Sequence, residues 1–329
     1  MQVLFCTMNK CIVGAYKVSL CLLRMLPAEF SHSVFIFTAK RLNFLLPKMN
    51  FPQREVDFFG KTIKNPCGVA AGVDKNAEAI EGLFKMGFGF VEVGTVTPNP
   101  QYGNKKPRLF RNKKHKSLLN FMGFPNDGCD EVLKRVIKFK RVDGQALGVN
   151  IGRNKDGGNE DYLYLVRKFY KFCDYIAINV SSPNTPNLRD TMNSTYKLQI
   201  LLLSIKRLCV KHNIPTPILL KISPDVNNLQ EIYDVACECG ISGFILTNTT
   251  SNKQSFPLRF SEMKMGGVSG GLLKKVSEGL LQEFSKINIH SKFVISCGGI
   301  CDDDEVMSRI SIGANAIQIY TPLIYGAFL

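Results

Sequence analysis

Zinc-framework chemistry is the first thing the sequence fails to support. No CxxC pair occurs among its 11 cysteines, and its four histidines, His32, His115, His212 and His290, lie far apart, so no metal site is expected. The cysteine count is odd and the residues are scattered from Cys6 to Cys301, which fits reduced thiols in a cytosolic compartment. No apolar run reaches the roughly 18 residues of a membrane span, because Lys17 and Arg24 interrupt the N-terminal stretch. No basic segment precedes an apolar block, so no cleavable signal is expected. Acids are scarce too: 27 against 42 Lys and Arg, a net charge of +15. That balance favours anionic partners, whether nucleic acid, phosphorylated ligands or anionic lipid. Hydrophobic content of 45% excludes a disordered chain.

Residues 1–50 differ from the rest. Lys10, Lys17, Arg24, Lys40, Arg41 and Lys48 stand against one acid, Glu29, in a stretch dense in Leu, Phe, Val, Cys and Met. Pro27 divides two helical patterns, Tyr16, Leu20 and Leu23 before it, and Phe30, Val34 and Phe37 after it. Proline suits the first turn of the second helix, where Glu29 meets its positive end. Two short helices with apolar faces and basic polar faces form either a hairpin packed on the main domain or one lying on a membrane surface.

From residue 66 on, short apolar runs alternate with amphipathic helices. The strand-like runs are 67–71, 90–95, 146–150, 175–179, 217–221, 243–248, 293–297 and 316–320. Unbroken apolar runs mean strands buried on both faces, hence a parallel sheet. Helices are expected at 76–86, 131–141, 161–172, 195–211, 228–239, 272–286 and 303–312. Glycine follows three of them, in MGFGFVEV, CGISGFIL and IGANAIQI, as a helix C-cap does. From Ala71 to Tyr320 the chain covers about 250 residues, the usual size of an eightfold barrel. The expected fold is therefore α/β, a (β/α)8 barrel over residues 51–329 with a small N-terminal helical extension over 1–50. The 96–145 connection contains PRLFRNKKHKSLLNFMGF, too irregular for one helix.

Barrel chemistry sits at the C-terminal strand ends. Those ends read Asp74-Lys75, Gly94-Thr95, Asn150, Asn179, Lys221, Thr247-Asn248-Thr249, Gly298-Gly299 and Tyr320-Thr321. Rich in Asn, Lys and Gly and poor in carboxylates, they describe a pocket for a planar, amide-rich anion. Asparagine both donates and accepts, which suits imide edges. Gly298-Gly299 and Ser269-Gly270 are the phosphate candidates, since bare backbone N–H groups allow close approach.

The segments AAGVDKN (70–76), GNKKPRLFR (103–111), NFMGFPNDG (120–128), NVSSPNTPNL (179–188), LLKISPD (219–225), TNTT (247–250) and IQIYTPL (317–323) closely resemble the dihydroorotate dehydrogenase family. The resemblance covers nearly the whole chain. Serine in the NVSSPNT motif and the helical extension are similar to class 2, the membrane-associated, quinone-dependent branch. The resemblance implies a TIM barrel that oxidises dihydroorotate to orotate in pyrimidine synthesis, using FMN and then a quinone (ubiquinone or menaquinone). It implies Ser182 as the base, aided by Thr185 or a water, with the loop Pro183–Asn193 as a lid. Substrate contacts carry over as Lys75, Asn120, Phe124, Asn179, Asn184, Asn248 and Thr249. FMN contacts carry over as Ala71, Thr95, Asn150, Asn179, Lys221, Thr247, Ser269, Gly270, Gly298, Gly299, Tyr320 and Thr321. His32, Arg111 and Tyr320 match the quinone tunnel.

Two departures stand out. Pro125 replaces the Asn that many class 2 members carry after the GF of this motif. The sequence also stops nine residues after Tyr320, where relatives continue into a last helix, so either the sequence is truncated or the barrel is left open at strand eight. The chain is expected to act as a monomer bound peripherally to a membrane, at the cytoplasmic face of a bacterial inner membrane in preference to a mitochondrion, and without nucleic acid. A flavin barrel reducing uracil in RNA would need a catalytic cysteine after a strand and lacks the SSPNT loop. A basic membrane-binding module without activity would leave the eight strand ends unexplained.

Overall fold

The computed structural model describes residues 2–185, 188–254, 256, 260 and 265–329, with side chains from residue 12 onward. Eight parallel strands, Cys67–Val69, Phe90–Val96, Ala146–Ile151, Tyr175–Asn179, Ile218–Ile222, Gly243–Leu246, Phe293–Cys297 and Ala316–Ile319, close into a barrel in that order. Nearly every strand residue is buried, as the unbroken apolar runs require. The last strand pairs with the first through Ile317 with Cys67 and Ile319 with Val69. Of the two alternatives, the one that leaves the barrel open at strand eight is thereby corrected: the backbone ladder closes it.

Most helices follow the expected pattern, and Thr195–Lys211 has the expected bounds. The exception is 76–86, where the helix runs only from Ile80 to Lys85. The Asp74 carboxylate accepts the N–H groups of Glu78 at 2.9 Å and Ala79 at 2.7 Å. Those bonds hold the preceding residues in a loop, with Ala77 at φ 58°.

Two features were not expected from the sequence. A hairpin, Val56–Asp57 with Thr62–Ile63, carries Phe58 beneath the barrel, where its ring lies 5.0 Å from that of Phe90 and 5.4 Å from that of Tyr175. The irregular 96–145 connection forms a second hairpin, Leu109–Asn112 with Ser117–Asn120, and Gly267–Gly270 adds a third antiparallel strand.

The N-terminal helices run Gln2–Leu23 and Ala28–Arg41 on either side of Pro27. The second lies on Ile80–Lys85 so closely that a Cβ on Gly82 would sit 2.1 Å from the Ala39 carbonyl oxygen. Their outer faces leave Val18, Leu22, Phe30 and Phe37 exposed, as is Met25 in the turn between them. No helix of the described residues is long and apolar enough to cross a membrane.

Candidate active site

A cavity of about 150 Å³ opens at the C-terminal strand ends, walled also by Leu109, Leu118 and Asn120 of the three-stranded sheet. Ser182 lines it, with Lys75, Asn120, Phe124, Asn179, Asn184, Asn248 and Thr249. So do Ala71, Thr95, Lys221, Thr247, Ser269, Gly270, Gly298, Gly299, Tyr320 and Thr321. Asn150 alone of the expected set is not on that wall; it is fully buried behind it.

What Asn150 does there was not legible in the sequence. Its Nδ2 donates to Glu92 Oε1 at 2.9 Å, and Glu92 is fully buried inside the barrel. Tyr175 OH and Gln318 Nε2 donate to Glu92 Oε2, each at 2.8 Å. A carboxylate only accepts, so it dictates which way each amide faces. Asn150 turns its Oδ1 to Thr95 Oγ1 at 2.6 Å and Asn179 Nδ2 at 3.1 Å. Asn179 then offers its own Oδ1 to Asn248 Nδ2 at 3.2 Å. One buried acid thus orients a chain of amides that ends on the cavity wall.

Ser182 Oγ accepts the Asn184 N–H at 3.2 Å. Thr185 Oγ1 is buried and has no partner among the described residues, so the direct Ser182–Thr185 hydrogen bond is absent. Pro186 and Asn187 of the expected lid lie outside the described residues. Of the rest of that segment, Pro183–Thr185 form a turn and Leu188–Asn193 a helix. Its Arg189 donates to the Ser181 carbonyl at 3.1 Å and the Thr249 carbonyl at 2.7 Å, and pairs with Asp225 at 2.6 Å. This clamp joins the serine loop to the loop after strand six. Lys75 Nζ donates to the Gly72 carbonyl at 2.7 Å. Burial pushes its amine down to about 8, with Arg108 lowering it further against the pull of Asp74 and Glu29. Lys221 is buried on the cavity wall, where its Nζ can meet a ligand.

A second cavity, about 60 Å³, lies between the N-terminal helices and the barrel, and His32, Arg111 and Tyr320 all line it with Leu20, Leu23 and Phe35. Arg111 reaches the Leu23 carbonyl at 3.1 Å and the Leu26 carbonyl. Leu109, Leu118 and Tyr320 line both cavities and so form the partition between them.

Residues 54–328 match the family model described as "Dihydroorotate dehydrogenase". The chain belongs to the dihydroorotate dehydrogenase family. A relative from Pseudoalteromonas atlantica named "Dihydroorotate dehydrogenase (quinone)" is 41% identical over 313 residues, covering 91% of this chain and 92% of its own. One of the same name from Bradyrhizobium is 38% identical over 317 residues, covering 94% and 86%. Among solved structures, the Eimeria tenella enzyme in complex with ferulenol has a TM-score of 0.83 at 34% identity, covering 93% of this chain and 91% of that one.

Membership of this family implies a flavin cofactor, and the large cavity fits one. Gln318 Oε1 and Asn184 Oδ1 are buried there and unpartnered among the described residues. Orphaned polar atoms on a cavity wall are costly unless a ligand satisfies them. With Lys221 they supply acceptors and a cation to a group rich in N–H and carbonyl edges.

In this family member, His32 Nε2 donates to the Val73 carbonyl at 2.7 Å. Burial and then Lys75 push its pKa down to about 3, which the Val73 bond only partly opposes. The ring is therefore neutral throughout the working range. Reoxidation of the flavin by quinone should show no pH step near 6.5 in the parent. A step that vanishes in His32→Asn would contradict the neutral assignment.

Proposed function

We propose that the protein oxidises dihydroorotate to orotate in the large cavity and passes the electrons to a quinone in the smaller one, with FMN as the flavin. The observation that carries this reading is the shared partition. An amide-lined cavity holding a serine and an apolar cavity reaching the N-terminal helices meet at Leu109, Leu118 and Tyr320.

The residues divide the work. Ser182 removes the proton from C5 of dihydroorotate as the base. A serine hydroxyl is a weak base at its ordinary pKa, so a hydrogen-bonded relay must take the proton on. The unpartnered Thr185 hydroxyl, reached through a water, supplies it. Lys75 meets the substrate carboxylate. Asn120, Asn179, Asn184 and Asn248 read the ring's N–H and carbonyl edges, Asn179 and Asn248 in orientations that Glu92 sets from below and Asn120 and Asn184 held against each other. When bound, FMN supplies the hydride acceptor for C6 and the route to quinone. Lys221 stabilises negative charge on the reduced ring, and the Arg189 clamp holds the serine loop over the substrate to exclude water. Purified protein should be yellow and should turn over dihydroorotate with a quinone far faster than with fumarate or NAD. Colourless protein, or preference for NAD, would overturn the reading.

The helical extension supports a location for this chemistry at a membrane surface. Leu22, Phe37 and Phe44 are exposed in a segment carrying Lys17, Arg24, Lys40, Arg41 and Lys48. Such a surface binds through buried apolar area and attraction to anionic lipid. Cosedimentation with anionic vesicles should weaken as salt rises, because screening shortens the reach of the charges. Aspartates at Leu22, Phe37 and Phe44 should abolish it while leaving reduction of the flavin by dihydroorotate unchanged. Undiminished vesicle binding by that variant would sink the membrane assignment.

A further inference from the structure

Gly298 and Gly299 follow the seventh barrel strand and line the large cavity. Behind them lies a charge that the chemistry above does not use. Arg309, on the helix Asp303–Ile312, is 1% exposed. Its guanidinium donates to the Lys274 carbonyl at 3.0 Å and the Ser277 hydroxyl at 3.1 Å, and at 3.4 Å to the Gly298 carbonyl and the Ser296 hydroxyl. All four acceptors are neutral. No carboxylate among the described residues pairs with it, and Glu305, on its own helix, is taken by Lys274. A buried cation without an anion is strongly unfavourable. Glu278 and Glu305 attract it without an ion pair to either, so an anion bound in front of it would still gain from this charge.

The hydrogen bonds show where that charge would sit. Ser277 Oγ donates to the Gly298 carbonyl at 2.7 Å. Arg309 therefore holds that carbonyl twice, once directly and once through Ser277. The Gly298–Gly299 peptide is trans, and the carbonyl and N–H of a trans peptide point in opposite directions. Fixing the carbonyl toward Arg309 turns the Gly299 N–H the other way, into the cavity. That N–H has no partner among the described residues. Gly299 has φ +75°, and a Cβ on it would stand 2.4 Å from Lys274 Cα, so the turn is seated directly on the start of the helix Lys274–Ile287.

We propose that Arg309 is a positioning residue for a phosphate monoester, supplying the buried positive charge and aiming the Gly299 N–H at the phosphate of the cofactor without touching it. The inference rests on reading that cofactor as FMN, not an unphosphorylated flavin. It predicts that Arg309 matters to the phosphate and not to the isoalloxazine ring.

Titration of the full chain, stripped of flavin, with FMN and with riboflavin separates the two by fluorescence quenching. Arg309→Met should weaken FMN about tenfold or more, as loss of a charge-assisted interaction does, and change riboflavin affinity by less than about twofold. Arg309→Lys, which keeps the charge, should recover most of the FMN affinity. Equal loss of both flavins in Arg309→Met, or unchanged FMN affinity, would overturn the proposal. If Arg309→Met does not fold, Ser277→Ala carries the test: it should weaken FMN severalfold and leave riboflavin alone, and equal effects on both would refute the relay. Failure of the parent to bind either flavin would instead refute the FMN reading itself.

Discussion

Ser182→Ala should leave the protein yellow and slow the reduction of its flavin by dihydroorotate by about 10²–10⁴-fold, the usual contribution of a positioned base. The side chain is 4% exposed and faces the same cavity as Lys75 and the four asparagines. Loss of the hydroxyl removes the acceptor of the Asn184 N–H, at a cost of about 1 kcal/mol in stability. Orotate should still bind, because Lys75, Asn120 and Asn248 are untouched. Stopped-flow absorbance at saturating dihydroorotate measures the step directly. A variant that reduces its flavin at close to the parent rate would remove Ser182 from the role of base. Loss of orotate affinity in proportion to rate would show that the serine binds and does not catalyse.

The two lysines should fail differently. Lys75→Ala should weaken orotate about ten- to hundredfold, in the range of a hydrogen bond to a charged group, while flavin content stays at the parent level. Lys221→Ala should lose flavin on dilution or raise the energy of its reduced form, because its side chain is buried on the wall of the cavity that would hold the flavin. The pH dependence of the parent separates the pair further. Burial holds the Lys75 amine down to about 8, well below the ordinary lysine value. A group that binds an anion in its protonated form is fully effective below that pKa and fails above it. Dihydroorotate affinity should be flat below about pH 8 and fall about tenfold per unit above it, and Lys75→Ala should abolish the fall. Orotate titrations and flavin occupancy across pH 6–10 test both claims. Identical losses in the two variants would place both lysines on one ligand.

The barrel was legible because strands buried on both faces read as unbroken apolar runs. Tyr175–Asn179 and Phe293–Cys297 begin and end where that pattern does. Most strand ends were legible for the same reason, since the residue that breaks the apolar run stands at the mouth; Asn150 breaks its run but is buried behind the wall. The second hairpin was not: Leu109–Asn112 is half-buried along its whole length, so neither alternation nor an apolar run marks it. Glu92 escaped because a lone acid inside an apolar strand carries no signal of its own. Its meaning lies in Asn150, Tyr175 and Gln318, supplied by three other strands. Arg189 joins Ser181, Asp225 and Thr249 across 60 residues of chain, and no local pattern reports such a clamp. His32, Arg111 and Tyr320 came from resemblance alone, and the structure gathers them around one cavity. Phe58 sits in a turn between two-residue strands, too short for any period to show.

The most direct test of the account is to follow the flavin absorbance of the intact protein through both halves of the reaction without oxygen. Dihydroorotate should bleach it, and a short-tailed quinone added next should restore it, each within the time of one turnover. A flavin that dihydroorotate leaves oxidised would contradict the substrate assignment. A bleached flavin that fumarate or NAD restores and quinone does not would contradict the second cavity.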